Sequence, residues 1–435
     1  MSYMEINRRY NFGGSYDVIV CGGGPSGVCA AISAARTGVK TLLIERGGML
    51  GGFWVSGMLT WIADICGKPG LVCEITERMK SEADGRTEYR GDAYFTADTE
   101  RTKLLFERMC IEAGVELRYY TLVTGAVKDG RRVTGVIAES KSGAEYFKGK
   151  IVIDATGDGD VGMAAGCEYE FGNENGDTQP ASLIVQLAGV RDKDIRDLYS
   201  KYSEIDNNTC ILKELQRAGV IPSYIHPLLA PVSVENNLFS FMTNHEYKVS
   251  ALSASELTRA TVHARAEVFG YVQALRSLGG IWKDIYMVGS AAYIGVREGR
   301  RISGKYRITL EEDLIKGKLH YDGICTVGYN MDIHQFTHDA PEDAHRRKGY
   351  REQPYEIPLR ALIAKDVDGL MMAGRCISGD VYAHSNFRIG GNAARSGEAA
   401  GTAAAYSILH GIDPDEIGAG IKGILAEHDK SIYKI

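Results

Sequence analysis

The chain has 435 residues, a formal net charge of −6, 44% hydrophobic and 24% charged residues. This is an ordinary globular composition, long enough for a large core and either two domains or one domain with an insertion. The acidic balance argues against nucleic acid as a partner, and no run approaches the roughly 18 apolar residues of a membrane span. The N-terminus has no apolar segment of the secretory kind, so the expected location is the cytoplasm. Nine cysteines at scattered spacings include no C-x-x-C pair. That argues for free thiols in a reducing compartment, and against a dithiol reductase or a bound metal.

In chain order, residues 16–21 read as a strand, 25–37 as a small-residue helix and 39–44 as a second strand. The turn between the first two is Gly22-Gly23-Gly24-Pro25-Ser26-Gly27, which fits G-x-G-x-x-G. Gly22 permits the sharp turn, Gly24 lets a pyrophosphate approach the backbone, and Gly27 allows close helix–strand packing. The helix N-terminus favours the phosphates. Glu45 closes the second strand, about 20 residues on, where a carboxylate accepts hydrogen bonds from an adenosine ribose. The residues therefore predict a bound dinucleotide.

A helix is expected at 102–114, followed by short strands, and a strand at 150–154 runs into the turn Ala155-Thr156-Gly157. From about 171 to 350 the character changes, with longer polar segments and a helix near 255–277. Arg259, His263 and Arg265 on that helix read as a solvated or contact face. A strand near 367–372 and a small-residue helix from Asn392 bring nucleotide-type segments back at the C-terminal end.

The N-terminal fingerprint, "IVIDATGDGDVG" (151–162), "GVREGRRISGKYRITLEEDL" (295–314) and "YEIPLRALIAKDVDGLMMAGRCIS" (355–378) together resemble the FAD-dependent oxidoreductases of the glutathione-reductase-like superfamily. The resemblance spans almost the whole chain. It implies an α/β fold with a Rossmann-like FAD-binding domain (1–170 and 351–435) and an inserted α+β substrate or cap domain (171–350). It implies FAD as the dinucleotide, contacted also by Arg46, Gly51, Gly52, Val123, Ala155, Thr156, Gly157, Gly374, Arg375, Gly391, Asn392 and Ala393. The last helix would aim its N-terminus, near Asn392 and Ala393, at the flavin, where the reduced ring carries negative charge. The segment after Glu45 has no histidine of the kind that tethers FAD in some relatives, so noncovalent attachment is expected. No second G-x-G-x-x-G follows a strand, so electrons are exchanged with a small molecule or with a partner protein.

"HSNFRIGGNA" (384–393) is similar to a stretch of fumarate-reductase and succinate-dehydrogenase flavoproteins in which an arginine grips a substrate carboxylate. This implies Arg388 as substrate anchor, through the planar fork that suits a carboxylate. The likeness departs in a spacer longer by three residues and in Arg375, which stands where an acidic residue is expected. In "NMDIHQFTHD" (330–339), Asp332 and His334 would share a face of an extended segment, making His334 an acid/base candidate; His384 is the other, and His338 carries less weight. Arg297, Arg300 and Arg301 either neutralise an anion or, the favoured reading, hold the inserted domain in place. Trp54 and Trp61 are candidates to wall the flavin pocket.

The expected activity is hydride transfer between flavin N5 and a small anionic or polar organic substrate. The alternatives are an ene-reductase of an unsaturated carboxylate, a flavin subunit of a larger complex, and a flavin-free binding module like the Rab GDP-dissociation inhibitors. Homo-oligomerisation is left open by the sequence.

Overall fold

A computed structural model of the chain describes residues 8–65, 67–82, 89, 90, 94–202, 207–233, 235–337 and 352–432. Its centre is strand β1 (Asn11–Cys21), whose Val18–Cys21 run is wholly buried. Burial on both faces demands a parallel sheet covered twice, and β1 runs parallel to β2 (Thr41–Ile44) on one side and to Gly143–Asp154 on the other. Glu116–Arg118 extends the sheet beyond β2, and Leu370–Met372 adds a parallel strand beside the end of Gly143–Asp154. The beginning of Gly143–Asp154 instead pairs antiparallel with Arg132–Ser140, which pairs with Leu122–Asp129. This is the expected α/β, Rossmann-like architecture.

Helix α1 (Pro25–Arg36) packs against the long helix Gly390–His410. A Cβ on Gly397 would stand 1.9 Å from Ser26 O, and one on Gly401 2.1 Å from Ala30 O. Two glycines one turn apart thus let the backbones touch, which brings this long helix over the first turn of α1.

A second core lies in an antiparallel sheet ordered Leu228–Ser233, Leu238–Met242, Val185–Ala188, Tyr286–Ser290. Phe239, Phe241, Val268, Leu275 and Trp282 fill it, together with residues of the helices Asp192–Lys201, Asn207–Arg217 and Ala254–Ser277. Trp282 donates its buried indole N–H to Glu214 at 2.7 Å, so the ring fills the core without leaving a donor unmet.

The chain leaves the large core through Tyr169–Glu170 and returns through Arg301–Ile302, the two segments pairing antiparallel. Ile302, Ile308, Leu310, Leu314, Ile324 and Val327 belong to the large core. Buried Arg301 ties this joint, donating to Gly379 O at 3.0 Å and Gly172 O at 2.9 Å and pairing with Glu298. Its hydrogen bonds explain why so charged a stretch closes inward. The predicted helices at 102–114 and 255–277 are Thr99–Glu112 and Ala254–Ser277. No described helix is long and apolar enough to cross a membrane. Eight cysteines among the described residues are free, seven of them buried.

Candidate active site

A cleft runs from the C-terminal ends of the parallel strands to the wall of the second core, the position where open α/β sheets take their ligands. At its sheet end it is built from backbone. Gly22 has φ +105°, and a Cβ there would stand 2.4 Å from Ala155 O; on Gly27 it would stand 1.8 Å from Gly22 O. Gly24 differs: a Cβ built on it meets nothing within 4 Å, because that space belongs to the cleft. No side chain caps α1, whose first turn follows Gly24 with Pro25 in place, so its N–H groups are open to an anion.

Around this cradle, Asp154 shapes the second turn, accepting from Thr156 N at 3.1 Å, Thr156 Oγ1 at 2.7 Å and Gly162 N at 2.9 Å. Glu45 accepts from Gly23 N and Gly47 N, each at 2.6 Å, which fixes its carboxylate at the cleft. Arg375 pairs with Asp158 at 3.0 Å, and burial pushes the Asp158 carboxyl upward against that pull. Arg46 lies over the Tyr293 ring at 4.8 Å.

The other end is built from side chains. Asp380 caps the short helix Val381–Phe387 by accepting from Tyr382 N and Ala383 N, and Arg388 closes that helix immediately before Ile389 opens the long one. Two helix ends therefore fix Arg388. Its Nη2 donates to Asp332 O at 2.5 Å and Asp332 Oδ2 at 3.1 Å, and reaches Gln179 Oε1 at 3.3 Å. His334 Nε2 lies 3.2 Å from Asp332 Oδ1, and its backbone N–H donates to the same Gln179 oxygen at 3.0 Å. Burial, reinforced by the charge of Arg297, brings His334 down to about 4 against the opposing pull of Asp332. Against the upward push of desolvation, His334, Arg388 and Arg297 hold the Asp332 carboxyl well below the usual carboxylate range. Tyr224 stacks on His245 at 3.9 Å and 28°, and His245 meets His334 edge-on at 5.0 Å.

Of the residues singled out from the sequence, Gly22, Gly24, Pro25, Ser26, Glu45, Arg46, Gly52, Ala155, Thr156, Gly157, Gly374, Arg375, Ala393, Arg388 and His334 line this one cleft, with Trp54 and Trp61 in its walls. Six others do not. Gly27 sits beneath Gly22, and Gly51 donates to Gly23 O at 2.8 Å. Val123 pairs with Ala138 in the sheet. Gly391 abuts Asp64 O, and Asn392 is fully buried, donating to Asp64 Oδ2 at 2.8 Å. Gly390 and Ala393, not Asn392, face the cleft at that helix start.

His384 also needs correcting as an acid/base candidate. It is fully buried outside the cleft, edge-on to Phe387 at 5.5 Å, and neither ring nitrogen has a partner among the described residues. Burial first, then Arg301, Arg388 and Arg375, drive its pKa well below the usual histidine value. It packs as a neutral ring. His338 lies outside the described residues. Sequence reasoning did not single out Gln179, Tyr224, His226 or His245. The polar–aromatic alternation of "SYIHP" (223–227) and "HEY" (245–247) was the only local signal for three of them.

The sheet end fits FAD. The open space over Gly24, the uncapped helix start and the fixed Glu45 carboxylate match a pyrophosphate and a ribose.

Comparison with known proteins agrees. The family model "FAD dependent oxidoreductase" matches residues 17–426. Thiamine thiazole synthase of Methanococcus vannielii is 32% identical over 158 residues, covering 32% of this chain and 56% of that protein. Digeranylgeranylglycerophospholipid reductase 2 of Methanopyrus kandleri is 30% identical over 168 residues, covering 35% and 40%. The chain thus spans about half the length of the curated relatives it matches. The crystal structure of p-nitrophenol 4-monooxygenase PnpA from Pseudomonas putida DLL-E4 shares the fold, with TM-score 0.50, 10% identity and coverage of 97% and 88%. With the matched span, the glycine cradle and Glu45 in agreement, the chain belongs to the FAD dependent oxidoreductase family, and FAD is its dinucleotide.

Proposed function

We propose that this flavoenzyme oxidises or reduces a small organic substrate carrying an anionic group, and that residues of about 171–294 act as a cap over the reacting centre. One observation carries the reading: Arg388, Asp332 and His334 form a hydrogen-bonded group lining the same cleft as the dinucleotide cradle. Bound FAD supplies the hydride-accepting or hydride-donating chemistry. The chain supplies position and proton transfer. Asp332 orients the His334 ring through Nε2, and Gln179 fixes the His334 backbone. The imidazole is neutral at neutral pH and can accept the proton that accompanies oxidation of a C–H/O–H or C–H/N–H pair. Trp54, Trp61, Leu59 and Met242 line the cleft and give it apolar walls.

Eight free cysteines suit a reducing compartment, in keeping with a cytoplasmic location.

The test is an anaerobic half-reaction. Oxidised holoenzyme is mixed with hydroxy acids, amino acids and their neutral analogues, and bleaching near 450 nm is followed. Photoreduced enzyme is mixed with unsaturated carboxylates, and the return of colour is followed. Bleaching by saturated acids supports a dehydrogenase; recolouring by enoates alone supports the ene-reductase. Silence in both directions, with FAD bound, would contradict the proposal.

A further inference from the structure

The structure assigns an anion subsite to Arg297, and with it a substrate class: monocarboxylates with an apolar or aromatic body. The assignment rests on the reading of this cleft as the substrate site. Arg297 is 7% exposed and lines the cleft. Its Nη1 donates to Pro180 O at 2.6 Å and Ser182 Oγ at 2.8 Å, and its Nη2 lies 3.3 Å from His245 Nε2. All three partners are neutral.

The neighbouring arginines are different. Arg300 pairs with Asp160, Arg301 with Glu298, Arg375 with Asp158 and Arg388 with Asp332. Arg46 is exposed to water. Among the described residues Arg297 alone is a buried cleft guanidinium with no carboxylate of its own. A buried charge without a counter-ion is costly, and burial, followed by repulsion from Arg388, brings its pKa down to about 10. An anion entering the cleft removes that cost.

Arg388 is the arginine that the sequence favours as anchor, but Asp332 already neutralises it. Asp332 offsets one of the two guanidinium charges, leaving room for one negative charge. A dicarboxylate would bring a second negative charge into a cleft that already holds Asp332. The anchor itself is fixed from behind. For Nε2 to accept from Arg297, His245 must carry its proton on Nδ1, which lies 3.3 Å from Tyr247 Oη. Tyr224, stacked on His245, lines the cleft with Leu228 and Met242, so one wall of the space beside the charge is aromatic and apolar.

The experiment titrates FAD-loaded enzyme with benzoate, benzamide and phthalate, following the flavin difference spectrum and the heat of binding. Benzoate is expected to saturate, with benzamide and phthalate about tenfold weaker or more, the effect of losing a charge-assisted hydrogen bond or adding a like charge. Arg297→Gln is expected to weaken benzoate about tenfold or more, and Arg297→Lys, which keeps the charge but loses the fork, to weaken it less. Should Arg297→Gln not fold, the wild-type comparison and Arg297→Lys decide. Equal binding of benzoate and benzamide, tighter binding of phthalate, or unchanged benzoate affinity in Arg297→Gln would overturn the assignment. These are binding readouts. Failure of the half-reaction with benzoate binding intact would remove the proposed chemistry and leave the subsite standing.

Discussion

The two ends of the cleft are made from different materials. The sheet end is backbone: Gly22 and Gly27 are required by atoms already in place, and Gly24 by the space a ligand would take. The far end is side chains: Arg388, Asp332, His334, Arg297 and His245, drawn from distant segments and held by one another. The backbone end has no room for an added atom once FAD is bound, whereas the side-chain end can change its chemistry while the scaffold stays. A fold built this way keeps its cofactor and varies its substrate.

The sharpest way to break this contrast is at the glycines. Gly27→Val drives a side chain into Gly22 O and is expected to abolish FAD binding, and with it the folded state, read as loss of 450 nm absorbance and of cooperative melting. Gly24→Ala separates the two roles. Nothing obstructs its Cβ and its φ of −69° suits alanine. The variant should therefore melt as the wild-type apoprotein does, yet bind FAD about a hundredfold more weakly, since the methyl group stands where the pyrophosphate belongs.

Changes at the other end should leave FAD untouched. His334→Asn or Asp332→Asn is expected to lower turnover about a hundredfold at unchanged FAD content. Glu45→Gln, between the extremes, keeps the shape but weakens the acceptor, and should cost about tenfold in FAD affinity.

The pH response distinguishes the ends as well. His334 has its folded pKa at about 4, below its unfolded value near 6.5. Between these values the unfolded chain binds the extra proton, so stability falls as pH drops through that window and this contribution is fully present only above it. Melting temperature measured from pH 7 to 4 should therefore decline less in His334→Asn than in wild type. Smallest of all, Arg259→Ala on the exposed face of Ala254–Ser277 should change stability by no more than about 0.5 kcal/mol and leave FAD and turnover alone.

The same contrast explains what was legible in the sequence. The glycine turn, Glu45 and the Ala155–Gly157 turn are local, because a backbone conformation is written in adjacent residues. Arg388 and the Asp332–His334 pair were also local, one at a helix junction and the other two residues apart. His384 and Asn392 misled because their motif gives the spacing but not the side of the helix: Phe387 and Asp64 take them inward. Arg297 was visible as one of three clustered arginines. Only tertiary structure shows that its two neighbours have carboxylate partners and it does not. Gln179 and His245 became members of the site through contacts with residues 155 and 52 positions away, which no window of sequence displays.

The most direct measurement is a crystal structure of the FAD-loaded enzyme soaked with benzoate. The pyrophosphate should lie over Gly24 at the first turn of α1, and the benzoate carboxylate should bond Arg297, with its ring against Tyr224. A pyrophosphate placed elsewhere, or a carboxylate seated on Arg388 with Arg297 left bare, would contradict this division of the cleft.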